Sequence, residues 1–266
     1  MGSETGIILS VLSASRGTIS RNNGASPNPI QYNDPTLQTQ GIRLLPGEPV
    51  SYDISADGTT AMNISVAPVV PVDPDFPADQ GTVISTPVNG NLVVAAGTTT
   101  TISGTTVSGS ITVNGGTLIL KSSTQDGTVP AQISGSIICT TNSNLTVYKS
   151  SIAGDLSFHD SGTLAIKGGS VGGDTDIHNA QRVKNQGSVG GDTDIKGCMV
   201  VDISGLTVNG NGAKSDLRVN NTATTTAITN VIVSNGNALI HNNTGCNYSN
   251  ITAPQGKVDI TGCTGA

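Results

Sequence analysis

The chain has 266 residues, of which only 11% are charged and 2% aromatic, with no Trp, so a globular core built on large rings is excluded. The net charge of -6 is uneven: residues 1–80 hold eight acids against Arg16, Arg21 and Arg43, and the remainder holds ten acids against nine bases. That balance argues against a nucleic-acid partner.

Gly, Ser, Thr and Asn dominate, and the apolar residues fall in short Val, Ile and Leu clusters between turn signals, which predicts many short strands. No stretch reaches the ~20 apolar residues of a membrane span. The opening MGSETGIILSVLSASRG lacks a basic leader and a long apolar region, so conventional export is not expected.

Residues 1–66 show no internal period and read as a small β-rich attachment or capping module. Val50-Ser-Tyr-Asp-Ile-Ser and Ala61-Met-Asn-Ile-Ser-Val-Ala flank a turn marked by Asp57-Gly58, predicting a β-hairpin. Residues 18–40 are polar and read as extended or partly mobile chain. So few large apolar side chains suggest a module that needs a docking surface, by capping the following fold or by adding a strand to a partner. Residues 67–82 read as a Pro-rich linker, with four prolines between Ala67 and Pro77.

From residue 83 to residue 266 the template apolar-x-Gly-x-apolar-x-apolar recurs. It begins at Val88, Val107, Ile133, Ile152, Val171 and Val189, at spacings of 19, 26, 19, 19 and 18 residues. Removing a seven-residue insertion around Ser123 to Pro130 restores the outlier to 19. Val208 continues the series, and Ile228 and Ile251 are read as its looser extension. A second apolar pair follows in each coil, as in Leu118/Leu120, Leu145/Val147, Leu164/Ile166 and Val201/Ile203. The prediction is an all-β fold, a single-chain parallel β-helix of about nine coils stacked ~4.8 Å apart into a rod of roughly 40 Å. A period that is not a strict multiple of six suggests the right-handed form.

A glycine stands two residues after each anchor, at Gly90, Gly109, Gly135, Gly154, Gly173, Gly191 and Gly210. It predicts a bend or a close backbone approach that a Cβ would obstruct. Asn230 is placed at the matching position after Ile228.

These V-x-G-x-I-x-V coils, with their SVGGD and SIAGD variants, resemble bactofilins over about residues 84–262. Those are bacterial cytoskeletal proteins with a right-handed β-helix that polymerise end to end. The coils are also similar to those of bacterial surface proteins and phage β-helical proteins. The first resemblance implies a cytoplasmic filament and the others a virion or extracellular particle.

Superposed coils gather Asp155, Asp174 and Asp192 in one outward column, with Asp176 and Asp194 two residues on and His159, His178 and Lys196 beyond them. No Arg falls in these columns as aligned. The carboxylates could bind Ca²⁺ or act as an acid/base pair on a glycan, or they could be solvated strand ends with neighbouring bases softening repulsion. His241 reads as an isolated surface residue and Cys139 as an apolar filler. Cys246 and Cys263, in similar Thr-Gly-Cys contexts, are candidates for a disulfide. The sequons at Asn63, Asn144, Asn220, Asn242, Asn247 and Asn250 are those expected by chance in such a composition. No cofactor or enzymatic activity is expected. The functional expectation is a structural component of a virion, phage-like injection apparatus or surface layer, with partner proteins or sister subunits bound through residues 1–80. The alternatives are a self-polymerising filament and a carbohydrate-binding or carbohydrate-cleaving β-helix.

Overall fold

Short runs of β-branched residues punctuated by Gly, Asn and Asp form strands, and among the described residues the secondary structure is all-β apart from one turn of helix. The computed structural model describes residues 3–13, 15–21, 29–39, 44, 46, 49–66, 73, 75–210, 214–245 and 247–263. The chain divides into two compact units, Met1–Val72 and Asp73–Ala266.

The first unit contains β1 (Ser3–Ser13), β2 (Arg16–Arg21), β3 (Ile30–Asn33), helix α1 (Thr36–Thr39), β4 (Pro49–Ile54) and β5 (Thr60–Val66). The strands close into a barrel in the order β1-β2-β3-β5-β4, with β1 pairing both β2 and β4, and with β3 parallel to β5. The helix α1 lies between β3 and β4 in the chain. The β4–β5 hairpin is the one read around Asp57-Gly58, where Gly58 has φ +76°. Within the polar segment 18–40, the described residues complete β2 and form β3 and α1.

Alternation turns Ile8, Ile19, Ile30, Tyr32, Val50, Tyr52, Ala61 and Ile64 inward, and Leu37 and Leu44 complete this core. Asp34 anchors the helix start: its carboxylate accepts from the Thr36 N–H at 3.0 Å and from the Ile64 N–H at 3.1 Å. Burial opposes ionisation of Asp34, but the Thr36 hydroxyl and the backbone N–H groups outweigh it and hold its pKa below the usual value. The module thus has a buried apolar cluster of its own.

The second unit is a parallel β-helix of nine coils. Its first face stacks Leu92–Val94, Ile111–Asn114, Ile137–Thr140, Leu156–His159, Thr175–His178, Thr193–Lys196, Leu217–Asn220, Ala238–His241 and Val258–Thr261 in register. The second face carries the longer strands, among them Thr99–Ser103, Thr117–Lys121, Asn144–Tyr148, Thr163–Val171 and Arg182–Val189. Inward residues form continuous columns, such as Val94, Val113, Cys139, Phe158, Ile177, Ile195, Val219 and Ile240, all buried. No coil closes a core alone, so stability comes from stacking.

The anchor column runs Val88, Val107, Ile133, Ile152, Val171, Val189, Val208 and then Val233. Ile228 is therefore not an anchor. It pairs with Ile203 in the second apolar column, because the coil between Val208 and Leu217 is lengthened and shifts every later residue. Asn230 consequently does not extend the glycine column, although its φ is +53°.

The linker read over 67–82 splits. Residues 67–72 and 74 lie outside the described residues, whereas 73 and 75–82 belong to the solenoid unit. There they form a strap on the second face. Phe76 packs edge-on against Tyr148 at 5.3 Å, and the Lys121 ammonium sits 4.5 Å above the Phe76 ring. Lys121 also bonds the Pro77 carbonyl at 3.0 Å and pairs with Asp79 at 2.7 Å. Tyr148 and Lys121 point outward by alternation yet are 1% and 5% exposed, because the strap covers them.

Candidate functional site

The first face carries the sequence-predicted side chains, and its corner explains the glycine column. The N–H of Asp174 donates to Oδ1 of Asp155 at 2.9 Å, the N–H of Asp192 to Asp174 at 2.8 Å, and the N–H of Asp216 to Asp192 at 2.7 Å. The same rung is made by Asn91, Ser110 and Ser136 in earlier coils and by Asp216 and Asn237 in later ones. To reach its donor, each side chain from Asn91 to Asp174 crosses the space where the next coil's glycine would carry a Cβ, whereas Ser215 stands at that place beyond Asp192. A Cβ on Gly173 would lie 2.0 Å from Oδ1 of Asp155, and one on Gly191 would lie 2.0 Å from Oδ1 of Asp174. Gly109, Gly135 and Gly154 stand in the same relation to Asn91, Ser110 and Ser136. Gly90 and Gly210 differ in having left-handed backbone, at φ +100° and +70°.

Asp155, Asp174 and Asp192 are thus backbone caps that bind coil to coil. Asp176 and Asp194 occupy a separate column, which continues to Arg218. The late coils therefore do bring an Arg to this face, and it bonds Asp192 at 3.2 Å and Asp216 at 2.8 Å. Burial raises the pKa of Asp216, but the Asn237 N–H and the charges of Arg218 and Lys214 pull it below the ordinary value.

The third column runs His159, His178, Lys196, Asn220 and His241. His241 is therefore not isolated. It was missed because the lengthened coil hides the register. The His159 and His178 rings stack with centroids 4.9 Å apart and planes within 8°. Asp176 lies between them, with Oδ2 at 2.9 Å from His159 Nε2 and Oδ1 at 2.9 Å from His178 Nε2. Asp194 Oδ2 is 3.8 Å from His178 Nε2.

The five aspartates read as a calcium set do not converge. Among the described residues, His159, Asp176 and His178 form the one group of three whose ligand atoms lie within 4.8 Å of one another. Two imidazoles and a carboxylate suit zinc, nickel or copper rather than the all-oxygen sphere of calcium.

The strap residues Asp73 and Asp75 form a cluster that sequence reasoning did not single out, with Lys167 bonding Asp73 at 3.0 Å and also reaching Asp75. The Tyr148 hydroxyl, then the Asp75 N–H and Lys167, hold the Asp73 carboxyl far below the usual carboxylate range. Cys139 is in the core, where burial pushes its thiol up to about 12. Cys263 is a free thiol 3.0 Å from the Tyr248 hydroxyl. Cys246, and with it the expected pairing to Cys263, lies outside the described residues.

No protein-family model, curated protein or solved structure matches this chain.

Proposed function

We propose that the chain is a structural component of a larger assembly, with the solenoid as a rigid spacer of about nine ~4.8 Å steps and the barrel as the attachment module. The observation that carries this reading is a row of apolar side chains on the outside of β1. Ile7, Leu9 and Leu12 are 40%, 49% and 79% exposed. A closed barrel gains nothing for its own core from such a row, and exposed apolar groups of this kind mark contact surfaces. The spacer role is supported by the polar side chains of the solenoid corner, which are taken up in coil-to-coil hydrogen bonds. A virion, a phage-like injection apparatus or a surface layer fits this division of labour.

A photo-cross-linker placed at Leu9 or Leu12 in cells is expected to capture one constant component of a multi-protein particle. The same cross-linker at Ile138 on the solenoid, 44% exposed, is expected to capture none. Depolymerisation of a polysaccharide by the purified chain would overturn the non-enzymatic reading.

A second reading, an end-to-end polymer, draws on the last described coil, where Val258 and Ile260 are 40% and 37% exposed. Unbranched filaments formed by the purified chain alone, seen by electron microscopy, would establish it in place of the first.

A further inference from the structure

We propose that His159, Asp176 and His178 bind one divalent transition-metal ion, with Asp194 as the fourth protein ligand, and that the ion clips three consecutive coils together. The residues come from the strands Leu156–His159, Thr175–His178 and Thr193–Lys196, which are adjacent in the first face. Asp176 and His178 are two apart on one strand, so both point outward from the same side. Parallel register then sets His159 beside His178 and Asp194 beside Asp176.

Two features meet at this place, the first of them found nowhere else among the described residues. The first is the donor set: two ring nitrogens and a carboxylate within 4.8 Å of one another, where a tetrahedral zinc centre with bonds of about 2.0–2.1 Å needs its ligand atoms about 3.3 Å apart. Each Nε2 already lies 2.9 Å from an oxygen of Asp176, His159 from Oδ2 and His178 from Oδ1. The second is an orphan atom. His178 Nε2 is shielded from water and has no hydrogen-bond partner, because its 2.9 Å approach to Asp176 lacks hydrogen-bond geometry. Asp194 Oδ1 is likewise buried and unpaired, and the other oxygen of that carboxylate stands 3.8 Å from His178 Nε2. Orphaned polar atoms are costly, and a cation offers His178 Nε2 a partner.

The stacked rings hold their lone pairs nearly parallel, so binding requires each ring to turn until the two converge on the ion. Side chains that are 39% and 34% exposed have room for that rotation. The ion would take the Nε2 lone pair of each neutral ring, which then carries its proton on Nδ1. Lys196, the next member of the His column, ends the site on one side, and Ser157, which precedes Asp176 in its column, ends it on the other.

The test uses the full-length chain without an affinity tag, titrated with Zn²⁺ or Ni²⁺ alone. The expected result is saturable binding of one ion per chain and a Tm that rises with metal concentration, since the ion binds only the folded arrangement. His159→Asn and His178→Asn are each expected to weaken binding by more than about tenfold, the loss that even an outer-shell partner can cause. Asn is tolerated at these positions because Asn220 occupies the same column, and the Tm of each metal-free variant checks that it folds. His241→Asn, in the same column but beyond Asn220, is expected to leave affinity unchanged. The absence of saturable binding, undiminished binding in the His159→Asn/His178→Asn double variant, or equal binding of Ca²⁺ would overturn the proposal.

Discussion

The barrel and the solenoid use the same small β-branched vocabulary and solve the burial problem in opposite ways. In the barrel, β1 must find β4 and β3 must find β5 across stretches of unlike sequence. Its register is further displaced by irregularities within β1 and β4. Among the described residues, ten buried apolar side chains, including Tyr32 and Tyr52, fill one closed interior. In the solenoid every strand meets its counterpart one coil away, with the same inward positions repeated. A barrel concentrates its stability in one set of non-local contacts, whereas a solenoid distributes it along a line of nearest-neighbour interfaces.

That contrast can be broken or sharpened by experiment. The largest effects belong to the two cores. Phe158→Ala, in the middle of a column and fully buried, is expected to cost about 3–5 kcal/mol in chemical denaturation. Ile19→Ala is expected to cost about 2–5 kcal/mol, but in a separate transition that leaves the solenoid midpoint unmoved. A single shared transition for both variants would contradict two units with cores of their own.

Next comes the glycine corner. Gly173→Ala is expected to cost about 1–3 kcal/mol as an overpacked site. Asp155→Ala removes the oxygen that the new Cβ would strike. The double variant should therefore be less unstable than the sum of the singles, by a coupling of about 0.5–3 kcal/mol. Strict additivity would show that the glycine serves some other purpose.

The strap offers a pH test. Asp73 has a lowered pKa in the folded chain, so its contribution is complete above the ordinary value of 3.8 and is lost as pH falls from there toward the folded value. Tyrosine absorbance, reporting on Tyr148, should accordingly change below about pH 4 in the parent and lose that step in Asp73→Asn.

The smallest effect lies at two core hydroxyls. Thr175 and Thr193 stack on one another in an otherwise apolar column, and their Oγ1 atoms are buried without partners. Thr175→Val is expected to stabilise the solenoid by about 0.5–1 kcal/mol, because it keeps the shape and removes an unmet donor. Destabilisation would mean that the hydroxyl has a role the apolar column does not reveal.

Much of the solenoid was legible because its pairing is written as a period. Val107, Ile133, Ile152, Val171 and Val189 recur at the coil length, and they stack as anchors. The legibility failed where the period did. The lengthened coil before Leu217 sent Ile228 to the wrong column and hid His241 and Arg218 from the face they share with His178 and Asp194. One signal could have restored the register. Asp160, Asn179, Gly197, Asn221, Asn242 and Gly262, each just after a first-face strand, have positive φ, and only Asn, Asp and Gly tolerate that readily. Aligning coils on those residues places His241 correctly. The prolines marked the boundary between the units but not the strap, in which Phe76 and the Asp residues find partners on three different coils.

By itself, the sequence determined the all-β class, the stacked-coil architecture, the turn at Asp57-Gly58 and the inward columns. Each of these depends on residues near in sequence or on a period that repeats them. The tertiary structure alone decided the closure of the barrel, the work of the aspartate corner as a backbone cap, and the meeting of His159, Asp176 and His178. Those depend on which atoms a side chain reaches across a coil or a barrel, and spacing in the chain does not specify that distance.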